Sequence, residues 1–448
     1  MIKKSKSFIF VGFLITLTTA YFFSSFAQAE TTPMQSSAKE KFDAYIKFTQ
    51  ILNVIESQYV DDINVTTLID KALKGLMTNL DAHSSFMDTT DYNALSVQTK
   101  GEFGGLGISI GIKDGALTVI APINGTPAFK AGVEAGDIIL KIDKVATINM
   151  SIDESVKLMR GKPKTSVVLT LIRKKEPKPL KIKIVRDIIK IQSVYVKTIE
   201  DTILYVLVTS FDRKVVDDIQ KALKDNPKIK GIILDLRNNP GGLLDQAVGV
   251  VDLFIDRGVI VSQKGRSEAE NIIYKAHKKG SDTKTPIVVL VNGGSASASE
   301  IVSGALQDLN RTIVVGEKTF GKGSVQSVMP IDKNEALKLT IARYYLPSGR
   351  TIQAVGVTPD IIVHLGQIEV KEDPLVLKER DLKKHLEGEL AKIDIEDGIT
   401  LDTNTTDSEE NNETNSTIIT QKQLYKDAQL KSGVDILKAL IITNKGRR

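Results

Sequence analysis

The chain has 448 residues, 42% hydrophobic and 26% charged, a globular composition long enough for two or three domains. It has no Cys, which excludes thiol catalysis, disulfides and Cys-based metal sites. His83, His277, His364 and His385 make no metal-ligand spacing, and the formal charge of +5 gathers into no nucleic-acid-binding run, so no metal, other cofactor or nucleic-acid partner is expected.

In chain order, Lys3, Lys4 and Lys6 precede an apolar run from Phe8 to Phe23, and Ala27-Gln28-Ala29 follows as an A-x-A cleavage pattern. Residues 1–29 read as an export signal, with a retained membrane anchor as the alternative; either places the protein in the periplasm or cell envelope. Loss of those three lysines with the signal takes the formal charge from +5 to +2. In 38–98, Phe42, Tyr45, Leu52, Ile55 and Tyr59, then Leu68, Ala72, Leu73, Leu76, Met77 and Leu80, recur at helical spacing. Those two small helices need a partner surface, on another domain or a second copy.

Residues 99–187 switch to short strands: GGLGISIGI and ALTVIAPI around a Lys113-Asp114-Gly115 hairpin, then GDIILKID, VVLTLIR and LKIKIVR. A short helix is predicted at TPAFKAG with Thr126 as N-cap, and another at SIDESVKLMRG with a Ser151/Glu154 capping box. Across 188–366, GIILDL, LLDQAVGVVDLFI, PIVVLV, SASEIVSGALQDL and TIVVG read strand, helix, strand, helix, strand, as βαβ units on a buried, mostly parallel sheet. In 367–448, LVLKERDLKKHLEGELAKI is a charged helix, and 401–420 is an acidic linker expected to be disordered. A last amphipathic pattern runs from Leu424 to Ile441, weakened by Gly433, and is expected to dock or dimerise.

Chemistry is concentrated in three places. NGGSASASEIVSGALQDLN (292–310) sets Ser295, Ser297 and Ser299 where a strand ends and a helix begins, with free helix N-terminal amides beside them. Serine is also a preferred helix cap, and sequence physics alone does not choose among the three. GKGSVQ (321–326) offers Lys322, a base if desolvation lowers its pKa, and Gln326, which could accept a hydrogen bond from its amine. Lys318 is a competing base in a more solvated context. LRNNPGG (236–242) is a second strand-to-helix turn, whose Gly241 or Gly242 could present an N–H to an oxyanion. Separately, the loop Gly105-Leu106-Gly107-Ile108 could hold a peptide's terminal carboxylate while the peptide adds as a strand.

Taken together, LDAHSSFM (80–87), FGGLGI (103–108), AGDIILKID (135–143), LDLRNNPGG (234–242), GGSASASEIVSGALQD (293–308), GKGSVQ (321–326) and LPSGRTIQAVGVTPD (346–360) resemble the C-terminal processing peptidases, or tail-specific proteases, of serine peptidase family S41. The resemblance covers about residues 45 to 365. It implies an α/β multidomain protein, a ClpP/crotonase-like protease core with an inserted PDZ domain and flanking helices. By motif match, Ser297 is the nucleophile, Lys322 the general base and Gln326 its orienting residue. The oxyanion donors would be the amides of Ala298 and of Gly241 or Gly242. Gly105, Leu106, Gly107 and Ile108 would bind the substrate C-terminus, and Arg160 would signal occupancy. Expected partners are proteins or peptides with apolar C-termini, a second copy through the terminal helices, and an activating adaptor. The chain departs from the family pattern at Lys318, where Pro is common, and Lys164, where Gly is common. A penicillin-binding-type acyl-transferase based on SDTK (281–284) lacks its partner motifs. A crotonase-type acyl-CoA enzyme conflicts with export. A PDZ scaffold with an inactive core is the alternative from another class.

Overall fold

The structure is a computed structural model that describes residues 37–174, 176–278, 280–369 and 417–445. The export signal, the charged helix at 375–393 and nearly all of the acidic linker lie outside these residues. The chain forms two compact units, Met1–Leu76 and Met77–Arg448. In the first, α1 (Ala38–Gln58) opens on a capping box in which Ser37 Oγ accepts from Glu40 N at 3.2 Å and Glu40 Oε2 from Ser37 N at 2.6 Å. A second helix, α2 (Val65–Thr78), follows.

The second unit begins with β1 (Ser85–Met87) and α3 (Thr89–Lys100), the latter capped by the Asp88 carboxylate. Next comes the β-rich module: β2 (Glu102–Gly105), β3 (Ile108–Lys113), β4 (Ala116–Pro122), α4 (Pro127–Lys130), β5 (Ile138–Ile142), β6 (Val145–Ala146), α5 (Ile152–Met159), β7 (Ser166–Ile172), β8 (Leu180–Val185) and β9 (Asp187–Lys190). Its sheet runs β3-β4-β5-β7-β8, with β6 on β5, and β2 pairs β9 apart from it. Alternate residues such as Val119, Ile139, Leu169 and Ile184 fill one core, while β3 lies at the sheet edge. The predicted hairpin is present, Asp114 and Gly115 turning at φ 51° and 77°. The Ser151/Glu154 capping box is also present.

Two local details go beyond the sequence reading. Thr126 precedes α4 but caps no amide: its hydroxyl instead meets the carbonyls of Gly107 at 3.1 Å and Ile123 at 2.6 Å, so it braces the glycine loop. Lys164 stands at φ 71°, a left-handed position that glycine takes without strain, which gives the departure at this site a physical cost.

The remaining chain builds two further sheets. One is β10 (Val194–Ile199), β11 (Ile203–Val208), β12 (Gly231–Asp235), β15 (Ile287–Val291), β16 (Ile313–Gly316) and β19 (Ile361–Ile362), in that order and parallel from β11 onward. The other joins β1 to β18 (Ala336–Tyr345), β13 (Val259–Gly265) and β14 (Ile272–Lys275), with β17 (Ser324–Pro330) also on β18. Both faces of the parallel sheet are covered, which is why its strands read as unbroken apolar runs. Ile232 and Leu234 face a core shared with α6 (Val215–Asp225), α7 (Leu244–Asp252) and α8 (Ala298–Asp308). Ile233, Val288 and Leu290 face the opposite way, onto α9 (Gln421–Tyr425) and α10 (Ala428–Lys445). Gly433 does not interrupt α10. A Cβ there would lie 2.9 Å from Leu290 Cδ2, so glycine permits close packing on the sheet. The apolar face of the last helix is thus covered by this chain's own core, through Leu430, Val434 and Leu437.

Candidate active site

The three serines have different surroundings. Ser295 is fully buried; its hydroxyl donates to Leu236 O at 2.8 Å and accepts from Asn292 N at 3.0 Å. Ser299, also fully buried, donates to Asn239 O at 2.9 Å. These two hold the turn together. Ser297 is half-buried and sits in a capping box with Glu300, though its hydroxyl makes no cap hydrogen bond of ordinary geometry; it stands at φ 54°, ψ −109°, a conformation that an L-residue keeps only when its surroundings impose it.

What imposes it is Glu300, one turn into α8. This side chain is fully buried, and every hydrogen bond it accepts comes from the site. Its Oε2 accepts from Ser297 N at 2.8 Å and Lys322 N at 2.9 Å; its Oε1 accepts from Gly321 N at 2.7 Å and the Thr319 hydroxyl at 2.5 Å. One carboxylate thus fixes the backbones of the serine and the lysine together. Sequence reasoning used this residue only as part of a helix. Its available signal was an acid placed three residues after the middle serine, just inside a helix that buries every neighbour.

The lysine loop is held close on its other side too. Gly323 N donates to Gln353 Oε1 at 3.0 Å, and a Cβ on Gly323 would lie 2.5 Å from Gln353 N. Burial lowers the pKa of Lys322 first, and the neighbouring Lys338 ammonium lowers it further against the opposing pull of Glu300. Lys318 points to solvent. Among the described residues the Lys322 amine makes no hydrogen bond; it is the Lys322 and Ser297 backbones that are brought together, through Glu300 Oε2.

The second turn lies against the first. A Cβ on Gly241 would sit 2.9 Å from Ser297 Cβ and 3.0 Å from Ala298 N, so only glycine fits here. The Gly241 amide is already committed to Asn239 Oδ1 at 2.9 Å. Gly242 is exposed and, among the described residues, its N–H has no acceptor; the same is true of Ala298 N, the first amide of α8. Fully buried Asn239 ties these parts together, donating to Val208 O at 2.8 Å and accepting from Ala296 N at 3.0 Å through its carbonyl.

Gln326 stands on β17 opposite Thr340, with its Nε2 2.8 Å from Ser324 Oγ. His83 is near enough that the Lys322 charge, after burial, helps to push its pKa down. In the β-rich module, Gly105, Leu106, Gly107, Ile108 and Arg160 line one cavity with Phe103, Val156 and Met159. Gly107 turns at φ 75°, where a Cβ would lie 2.4 Å from Thr126, and the Arg160 guanidinium stacks 4.5 Å from the Phe103 ring centre. The cavity lies between the edge strand β3 and helix α5, where an added peptide strand would pair.

A strained serine against free amides, with a lysine whose pKa burial lowers held on the same carboxylate, is a setting that can support acyl transfer, and a peptide-edge module precedes it in the chain. The class is a PDZ-bearing serine peptidase. Residues 202–363 match peptidase family S41, residues 104–184 match a PDZ domain, and residues 10–91 match the activating protease CtpB N-terminal domain. The carboxy-terminal-processing protease of Bartonella bacilliformis is 44% identical over 81% of this chain and 84% of its own length. The carboxy-terminal processing protease CtpA of Bacillus subtilis is 34% identical over 82% and 78%. Among solved structures, a photosystem II D1 C-terminal processing protease shares 29% identity over 71% of this chain and 92% of its own, with a TM-score of 0.42. The chain belongs to peptidase family S41.

Proposed function

We propose that the protein is an exported C-terminal processing endopeptidase with a Ser297–Lys322 dyad. The observation that carries this reading is the shared carboxylate: Glu300 binds the amides of both residues, and of the three serines only Ser297 is left without a structural bond. Neutral Lys322 takes the Ser297 proton as Oγ attacks the peptide carbonyl. The oxyanion is received by the amides of Ala298 and Gly242, with Gly241 supplying the close approach. Lys322 then passes the proton to the leaving amine, and water hydrolyses the acyl-enzyme. Gln326 orients the amine. Hydrogen bonds of such dyads commonly tighten only when substrate is seated, which accommodates the unengaged amine seen here.

The PDZ domain would take the substrate's terminal carboxylate at Gly105–Ile108, its last apolar side chain resting in the cavity beside Arg160. The relatives' names support C-terminal processing, and the N-terminal match is to a domain of an activating protease. A homodimer would use the N-terminal helices, where Phe42 and Tyr45 are 62% and 70% exposed. The test is cleavage of an unstructured protein ending in apolar residues, followed by mass spectrometry. Wild type should cut it, Lys322→Ala should be slower by about 10²–10⁴-fold, and amidating the substrate's C-terminus should slow wild type. Binding of the C-terminus without cleavage by any form would support the scaffold reading instead.

A further inference from the structure

The expected partner of Lys322 is the Gln326 amide, whose two ends are chemically opposite: an oxygen that accepts and an NH₂ that donates. Only the oxygen can accept from the lysine amine. Which end faces Lys322 is decided by what holds the other end.

A bulge sets that contact. β17 and β18 pair as Val325↔Ala342 and then Gln326↔Thr340, so one β18 residue is skipped and Gln326 directly faces Thr340. Gln326 Nε2 lies 2.8 Å from Ser324 Oγ and 3.3 Å from Thr340 Oγ1. A hydroxyl can donate or accept, so this alone leaves the amide free to flip. The Thr340 proton, however, has an acceptor of its own: Thr340 Oγ1 lies 3.3 Å from Asp81 Oδ1. Ser84 Oγ donates to the other carboxylate oxygen at 2.6 Å and accepts from Thr340 N at 3.0 Å. The Ser84 and Thr340 hydroxyls are 3.4 Å apart, but the Ser84 proton sits on the shorter, charge-assisted bond. Asp81 is pinned in turn by the amides of His83 at 2.7 Å and Ser84 at 2.8 Å. Burial opposes its ionisation, but these hydrogen bonds outweigh burial and hold it below the usual carboxylate range, so it only accepts. With its proton on Asp81, Thr340 offers Gln326 a lone pair, and Gln326 must answer with its NH₂.

We propose that Asp81 is a positioning residue for the peptidase reaction: through Thr340 it fixes the Gln326 amide with its oxygen left for Lys322. This rests on the dyad reading above. It also gives the LDAHSS segment a role in the site. The charged groups around the lysine are Lys338, Glu300 and His83, and none of them replaces this link.

A double-mutant cycle tests it on the full chain, with kcat and KM read separately and thermal midpoints recorded. Asp81→Ala removes the acceptor of the Thr340 proton, which can then turn to Gln326 and draw its amide oxygen. It should lower kcat by about 3- to 100-fold, within the range of coupling between hydrogen-bonded residues, with KM little changed. In a Gln326→Ala background the same change should have almost no further effect. Thr340→Ser should keep activity and Thr340→Val should lose it, which carries the test even if Asp81→Ala folds poorly. Equal kcat losses from Asp81→Ala with and without Gln326 would overturn the proposal while leaving the dyad standing. A Gln326→Ala enzyme as fast as wild type would instead remove the Gln326 assignment on which it rests.

Discussion

At the scale of single residues, the site depends on one strained backbone and one buried acid. A non-glycine residue in the conformation of Ser297 costs about 1–3 kcal/mol, and the bond from its amide to Glu300 helps to maintain it. On the proposed reading Lys322 is the titrating group. Its pKa is lowered by burial and then by Lys338, so it loses its proton at a lower pH than a free lysine. A base works when neutral, so kcat/KM should rise with pH through that point. Lys338→Gln removes the neighbouring positive charge, which lets the Lys322 pKa rise. The ascending limb of the profile should move to higher pH and activity at neutral pH should fall; an unmoved limb would exclude Lys322 as the base. The sequence could not choose among the three serines because all share the same strand-to-helix turn. They differ in what their hydroxyls meet, Leu236 O for Ser295 and Asn239 O for Ser299, and those contacts come from residues about 60 positions away.

At the scale of elements, the parallel strands and the helices after them were legible, because a buried sheet needs apolar runs and α8 needs a small-residue start. The second sheet, β13 with β14, β17 and β18, was not read from the sequence. Its half-exposed strands mix charge with apolar residues, and the Gln326–Thr340 bulge has no local marker. The C-terminal helix was expected to dock or dimerise; its anchor is Asp427, which accepts from Arg237 at 2.9 and 2.8 Å. Arg237 is also bound to Asp235, and Tyr205 OH donates to Asp235 at 2.8 Å. Arg237 stands just before the Asn238-Asn239-Pro240-Gly241 turn, so α10 braces the turn to which we assign an oxyanion role. Burial acts against the Asp427 charge, but Arg237 lowers its pKa, so this contribution is present above the unfolded carboxylate value and lost as pH falls through the lower folded one. Asp427→Ala should cost about 1–3 kcal/mol of stability, seen as a lower thermal midpoint, together with a fall in kcat. Asp435→Ala, which breaks only the ion pair to Lys431 on the helix surface, should change neither.

At the scale of the whole molecule, the PDZ domain and protease core belong to one compact unit, and the joint between them is short. Arg213 N donates to Thr99 O at 3.2 Å, Ile191 N to Gly101 O at 2.8 Å, and Lys214 pairs with Glu102 at 3.1 Å. The strand that leads to the Gly105–Ile108 loop therefore starts beside core residues Arg213 and Lys214, close in sequence to Phe211, whose amide donates to Gly241 O at 3.0 Å. On the proposed reading, this arrangement would give occupancy of the peptide edge a physical route to the catalytic turns. The central claim remains that peptide bonds are broken through an acyl group on Ser297. The direct measurement is to mix the enzyme with an activated ester of a short apolar peptide, quench in acid, and map the acylated residue by mass spectrometry. The account predicts one acyl group, on Ser297, formed far more slowly by Lys322→Ala. Acylation of Ser295 or Ser299, or turnover by Ser297→Ala at the wild-type rate, would contradict it.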